Sequence, residues 1–204
     1  CFIMKWLTIP CGFKRLGEML PFAIPVGVIG VLGIFSPTME RICVEQLLGV
    51  SSLGDYAVAT KIAMLIAFAA NAFQTAWGPF SLSIHKGKNA SETYNWVLKF
   101  FCLCACILTL IITMVAQPLV NLLASEKFNG SVILVFPLVM GLAIQAVSWV
   151  TEIGIGISKR SHLNLYSFAS NLIVTILGIY FLTPILGILG VGLAVMVGFL
   201  TKAL

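Results

Sequence analysis

The chain has 204 residues, of which 60% are hydrophobic and 9% are charged, and its formal net charge is +5. This balance lies far outside that of soluble domains and indicates an integral membrane protein. The basic residues are spread over several segments and form no concentrated patch, so we expect no nucleic acid partner.

Apolar segments of the length needed to cross ~30 Å of hydrocarbon repeat along the chain. We predict an all-α polytopic membrane protein with about six transmembrane helices in one bundle, because strands of a membrane barrel would give shorter, alternating segments. Residues 1–18 are interpreted as a cytoplasmic leader or the end of a preceding helix, and residues 19–204 as the bundle. The predicted spans are 19–48, 54–84, 95–124, 131–158, 163–183 and 185–201.

The distribution of basic residues predicts how these spans are oriented. Short loops that hold lysine and arginine stay in the cytoplasm, and such loops alternate here with less basic ones. The cytoplasmic set is Lys5, Lys14, Arg15, Lys86, Lys88, Lys99, Lys159, Arg160 and Lys202. Both ends are therefore expected in the cytoplasm. Because the chain starts at Cys1 and has no signal peptide, we expect it to be a piece of a longer protein.

The second predicted span carries an unusual polar series in "NAFQTAWGPFSLSIHKGK", residues 71–88. At ~100° per residue, these polar side chains share one side of the helix with a lysine nearer its start. The stripe consists of Thr60, Lys61, Asn71, Gln74 and Thr75. Polar residues in a membrane need internal partners or water, so the stripe is a candidate lining of a transport path.

Later spans repeat the pattern, with Gln145 and Glu152 on one side of the fourth and Asn171 on the fifth. Single Ser, Thr, Asn and Gln side chains also join helices in membranes, which is the alternative for each of them alone. It does not account for Lys61 and Glu152, since a charge at the centre of a span costs about 2.5–3.5 kcal/mol. Polar stripes on several helices therefore indicate a bundle around a hydrated cavity, as in transporters.

Arg41 and the cysteines are the remaining residues whose roles need to be considered. Arg41 is followed one turn later by Glu45, so it is either neutralised as an i,i+4 pair or free at the outer mouth of the cavity. The six cysteines are interpreted as small packing residues. We predict no metal site and no cofactor.

Several motifs carry a family resemblance over nearly the whole chain. They are "MLPFAIPVGVIG", "SPTMERICVEQLLGVSSLGDYAVATKIAMLIAFAANAFQTAWGPFSLSIHK" and "ISKRSHLNLYSFASNLIVTILGIYFLTPILGILGVGLA". Together they closely resemble the polysaccharide-transporter family, the O-antigen flippases of bacterial inner membranes. The matching positions are Arg41, Lys61, Gln74, Trp77, Gly78, Pro79 and Asn171, whereas Glu40 stands where the family commonly has Asp.

The resemblance implies a fold of two six-helix bundles, of which this chain is the carboxyl-terminal one. It implies transport of an undecaprenyl-pyrophosphate-linked oligosaccharide to the periplasmic leaflet, with the amino-terminal bundle and membrane lipids as partners. The implied localisation is the bacterial inner membrane, and the implied process is polysaccharide and lipopolysaccharide biosynthesis.

The residues fit that chemistry, because a lipid-linked sugar presents a pyrophosphate and many hydroxyl groups. Lys61 is the expected principal anion contact and Arg41 a secondary one. Asn71, Gln74, Thr75, Gln145 and Asn171 are expected to bind sugars, and Trp77 to stack on a sugar ring. Gly78 and Pro79 form a predicted hinge, with a static break as the alternative. Glu152 is a candidate for ion coupling.

Two other functions are compatible with the sequence. A cation-coupled multidrug exporter of the same fold would need acids deep in the cavity, and Glu152 is the candidate. A membrane-embedded polymerase or ligase is less favoured, because His85 and His162 both fall in lysine-bearing loops and no acidic metal motif is present. We therefore expect a transporter and not an enzyme.

Overall fold

The computed structural model describes residues 16–84, 87, 90–124, 126–157 and 161–203. The helices are α1 (Leu16–Ile84), α2 (Ala90–Met114), α3 (Ala116–Leu123), α4 (Val132–Ile157), α5 (Ser161–Leu186) and α6 (Ile188–Ala203), with a 3₁₀ helix at Glu126–Ser131. The predicted fold class, an all-α polytopic membrane protein, is confirmed.

Within the described residues, four helical segments are long and apolar enough to cross a membrane, and a fifth apolar helix, Ile188–Ala203, is shorter. The four are Ala23–Ile84, Ala90–Met114, Lys127–Glu152 and His162–Leu186. The six predicted membrane boundaries stay a prediction. The predicted leader falls largely on residues 1–15, which lie outside the described residues.

Helix α1 is 69 residues long and reverses direction at Gly49, whose φ of 81° and ψ of 175° are not helical. Glycine tolerates this positive φ because it has no Cβ. The reversal is evident from the hydrogen bond of Tyr56 Oη to Glu40 Oε2, 2.6 Å long. In a continuous helix, residues 40 and 56 would lie ~24 Å apart. Helix α1 is therefore a hairpin of two arms, residues 16–48 and residues 50–84.

Helices α2 and α3 are nearly continuous, with a turn at Val115 between them. Pro118 explains the interruption, because it lacks the N–H that would bond the carbonyl of residue 114. The following 3₁₀ helix lies beside the start of the second arm of α1, where a Cβ at Gly54 would be 2.7 Å from the Phe128 ring. The α1 turn and the α3–α4 connection are thus on the same side of the bundle.

Helices α5 and α6 form a tight antiparallel pair joined at Gly187, which has a φ of 57°. A Cβ at Gly178 would lie 2.8 Å from the Ala194 Cβ, and a Cβ at Gly198 would overlap the Thr175 hydroxyl. Small residues permit this close backbone approach, which is the usual basis of helix association in membranes. The core joins α1, α4, α5 and α6 through side chains such as Ile62, Leu134, Ile179 and Val191.

Candidate functional site

A cavity of about 300 Å³ lies between the two arms of α1 and helices α4, α5 and α6. Much of its wall is apolar, from residues that include Leu138, Leu142 and Phe199. The polar side chains that line it are Ser36, Glu40, Arg41, Tyr56, Thr60, Gln145 and Asn171. All of them belong to apolar helices, so the cavity combines membrane-buried walls with charged and hydrogen-bonding groups.

Glu40 is the acid of this cavity, and it is only 8% exposed. Tyr56 Oη donates to Glu40 Oε2 at 2.6 Å, and Ser36 Oγ donates to Glu40 Oε1 at 3.2 Å. Both carboxylate oxygens therefore have a partner, as a buried acid requires. The Tyr56 bond also joins the two arms of α1 across the Gly49 turn.

Arg41 is exposed and lines the same cavity. Within the described part of α1, no ion pair joins Arg41 to Glu45. The neutralised state left open by the sequence is thus not formed. The guanidinium is available to a ligand, and its planar donors suit bidentate contact with phosphate oxygens.

Gln145 of α4 and Asn171 of α5 bring amide groups to the cavity wall, so the structure brings these two predicted residues together with Arg41. Asn171 is 7% exposed, and its Nδ2 has no hydrogen-bond partner among the described residues. An unsatisfied buried amide donor costs free energy unless a ligand or water completes it. This nitrogen lies on the α6 side, 3.2 Å from where a Cβ at Gly198 would be, so Asn171 is a buried donor at the edge of the cavity.

The stripe on the second arm of α1 divides into two parts. Asn71, Gln74 and Thr75 are exposed, and at ~100° per residue Asn71 and Gln74 lie within about 40° of the line of cavity-lining positions. Lys61 is also exposed, but it does not line the cavity and points about 120° away from that line. In this structure the cation at the cavity is Arg41 rather than Lys61.

Trp77 lies in an aromatic cluster that joins α1 to α2. Its ring centroid is 5.9 Å from that of Phe73 and 5.5 Å from that of Tyr94, and the residue is only 4% exposed. Its rings already stack inside the protein, so contact with a sugar would require this cluster to open. Helix α1 continues through the predicted hinge at Gly78 and Pro79 to Ile84.

Glu152 has a partner that the sequence did not suggest. Its Oε1 lies 3.0 Å from Lys202 Nζ, an ion pair whose geometry is not that of an aligned hydrogen bond. Lys202 is only 5% exposed, so its side chain packs inside the bundle, and its place on the cytoplasmic side stays a prediction. A buried lysine needs such an acid, because an unpaired charge in the interior is strongly destabilising.

The sequence interpretation missed Ser36, Tyr56, Phe168 and Lys202 as neighbours of the site. A signal for Tyr56 was available, because Glu40 and Tyr56 each stand eight positions from Leu48 and face each other if the chain reverses there. No comparable signal exists for Lys202 and Glu152, which are 50 positions apart and meet only when α4 packs on α6.

Comparison with known proteins adds one match. A family model described as polysaccharide biosynthesis protein matches residues 1–133, which is more than half of the chain. No curated protein and no solved structure matches it.

Proposed function

Because the chain belongs to the polysaccharide biosynthesis protein family, we propose that it is part of a flippase for an undecaprenyl-pyrophosphate-linked oligosaccharide. The cargo is an O-antigen unit or another surface polysaccharide unit, moved across the bacterial inner membrane by alternating access. The proposed partners are this lipid-linked substrate, membrane lipids and an amino-terminal bundle of the same protein. Both ends of the chain lie in the cytoplasm in this proposal.

The observation that carries the proposal is the cavity between apolar helices, whose largely apolar wall also carries Arg41, Gln145 and Asn171. A lipid-linked sugar needs such a path because hydrocarbon rejects both its hydroxyl groups and its pyrophosphate. Apolar walls on the same cavity suit the start of a polyprenyl chain. The ligand class that matches both kinds of wall is amphipathic and anionic.

The residues take separate roles in this proposal. Arg41 binds the pyrophosphate, since its fork of donors fits two phosphate oxygens. Gln145 and Asn171 donate to sugar hydroxyls within the cavity, and Asn71, Gln74 and Thr75 extend the polar path along α1. Lys61 lies off this path, so its proposed role is limited to attracting the anion as it approaches the cavity.

Alternating access requires a bundle that moves against a second one. The exposed polar side chains of the second arm of α1 support this, because they would face lipid unless another element covered them. Gly78 and Pro79 stand at the predicted cytoplasmic end of that arm. We propose that bending there accompanies opening to the cytoplasm.

A genetic experiment tests the function directly. A strain that lacks the full-length protein should lose its surface polysaccharide and accumulate the lipid-linked oligosaccharide in the cytoplasmic leaflet, and the wild-type gene should restore both. Accumulation of unlinked sugar nucleotides, with no lipid-linked oligosaccharide, would contradict a flippase. Lipid-linked units that reach the periplasm but stay unpolymerised would favour the polymerase alternative.

The cation-coupled multidrug exporter remains a second candidate because the cavity holds an acid. Glu40 lines it beside Tyr56, and a carboxylate is the group expected to attract a cationic drug. Efflux of a cationic dye from cells that overproduce the full-length protein would favour this candidate. We propose the flippase first, because Arg41 repels cationic drugs at the same cavity.

A further inference from the structure

A buried charge cluster lies outside the proposed transport path. Lys202 Nζ at the end of α6 is 3.0 Å from Glu152 Oε1 on α4, with the side chains 1% and 22% exposed. The same Nζ lies 3.9 Å from the centroid of the Phe168 ring on α5. A single ammonium group therefore contacts one acid and one aromatic ring on two different helices.

This cluster touches the cavity through the aromatic ring. Phe168 lines the cavity, whereas Lys202 and Glu152 do not. Asn171 stands three positions after Phe168 on the same side of α5 and lines the cavity as well. The orientation of both side chains in the wall thus depends on how α5 sits against the charge pair.

The lysine is attached to a part of α6 that has little freedom to shift. One turn before it, Gly198 packs so closely on α5 that a Cβ there would overlap the Thr175 hydroxyl and lie 3.2 Å from Asn171 Nδ2. The base of Lys202 is thus fixed relative to the segment of α5 that carries Phe168 and Asn171. An ammonium over a ring face adds a directional attraction to that packing.

Stability alone does not explain why charges occupy this place. Compared with apolar side chains of similar volume, a buried ion pair contributes little net stability, although loss of one partner is costly. The pair instead restricts conformation, because few arrangements of Glu152, Lys202 and Phe168 preserve both contacts of the ammonium group.

We propose that Glu152 and Lys202 are positioning residues for transport, which hold Phe168 and the cavity side of α5 in the arrangement that receives the substrate. The inference rests on the proposed function only in that the cavity holds the cargo. Neither residue touches the substrate, and the carboxylate of Glu152 is occupied by its own lysine.

The test places 4-fluorophenylalanine at position 168 of the full-length protein and records its fluorine resonance. Lys202→Met should shift or broaden this resonance, because the ring loses the cation above it. Lys202→Met alone should lower the melting temperature, because it leaves Glu152 unpaired. The double variant Glu152→Gln/Lys202→Met leaves no unpaired charge, so its melting temperature should return to the wild-type value, whereas its fluorine resonance should stay altered. Lys99→Met, which removes an exposed lysine of α2, is the matched control and should change neither.

Transport by the same variants is measured with undecaprenyl-pyrophosphate-linked N-acetylglucosamine in proteoliposomes. The double variant should raise the apparent KM about fivefold with a nearly unchanged maximal rate, as expected for a distorted binding wall. An unchanged fluorine resonance in both Lys202→Met and the double variant would overturn the positioning role. If wild-type protein moves no lipid-linked sugar, the proposed function fails, and the resonance still decides the positioning role.

Discussion

Arg41 and Lys61 are both cations within apolar helices, yet they have different surroundings. Arg41 lines the cavity with Glu40, Gln145 and Asn171, whereas Lys61 is exposed on another side of the same hairpin. The sequence favoured Lys61 because no acid stands one turn from it, but spacing along one helix does not reveal which side other helices cover. We therefore propose Arg41, rather than Lys61, as the principal anion contact.

We predict that Arg41→Ala lowers surface polysaccharide at least tenfold, while Lys61→Ala lowers it about twofold or less. A hydrogen bond to a charged group contributes ~1.5–3 kcal/mol, and each 1.4 kcal/mol corresponds to about a factor of ten. Polysaccharide is quantified on cells with equal amounts of each full-length variant in the membrane. Normal polysaccharide export by Arg41→Ala, together with loss of export in Lys61→Ala, would show that Lys61 is the principal anion contact.

Asn171 provides a second prediction for a single residue. Because its Nδ2 bonds no described residue, Asn171→Ala removes little internal stabilisation and should leave the melting temperature nearly unchanged. Transport should fall about tenfold, since the amide that we propose binds the cargo is lost. Purified full-length protein gives both values. A large drop in melting temperature with normal transport would make Asn171 a packing residue.

At the scale of elements, the α1 hairpin was predictable in part. Gly49 falls in the gap between the predicted spans 19–48 and 54–84, and glycine is the residue that a positive φ favours. The pairing of Glu40 with Tyr56 follows once the turn is known. The contact between the two arms could not be inferred from the sequence before the position of the turn was known.

Tyr56→Phe tests whether this pairing stabilises the hairpin. The change leaves Glu40 Oε2 without its 2.6 Å donor in a buried site, and we expect a loss of about 1–2 kcal/mol in the free energy of unfolding. Thermal melting of the purified full-length protein measures it. Tyr166→Phe on α5, whose side chain is 70% exposed, serves as the control. Equal melting of both variants would rule out a structural role for the pair.

The α5–α6 interface gives another prediction for an element. Gly198→Ala places a methyl group against Thr175, and overpacking of this kind costs about 1–3 kcal/mol. Gly27→Ala, at a position where a Cβ meets nothing within 4 Å, should change the melting temperature little. The sequence did not identify Gly198 as a contact, because glycines recur through α6 and only packing selects the one that touches Thr175. Unaltered melting of Gly198→Ala would contradict the tight pairing.

For the whole molecule, composition and the length of the apolar segments were sufficient to predict a polytopic helical membrane protein. The number of spans stays a prediction. Orientation is a separate prediction from the alternating basic loops. In a variant without native cysteines, an impermeant thiol reagent should label Lys127→Cys in intact spheroplasts and leave Gly87→Cys and Arg160→Cys unlabelled. Labelling at 87 and 160, without labelling at 127, would invert the topology.

We propose that the full-length protein moves a lipid-linked oligosaccharide across the membrane, and reconstitution of the purified protein decides this. Purified protein in proteoliposomes should carry an undecaprenyl-pyrophosphate-linked oligosaccharide from one leaflet to the other, measured by its accessibility to a glycosidase added outside, and should leave the cationic dye ethidium in place. Transport of ethidium without movement of the lipid-linked oligosaccharide would contradict a flippase.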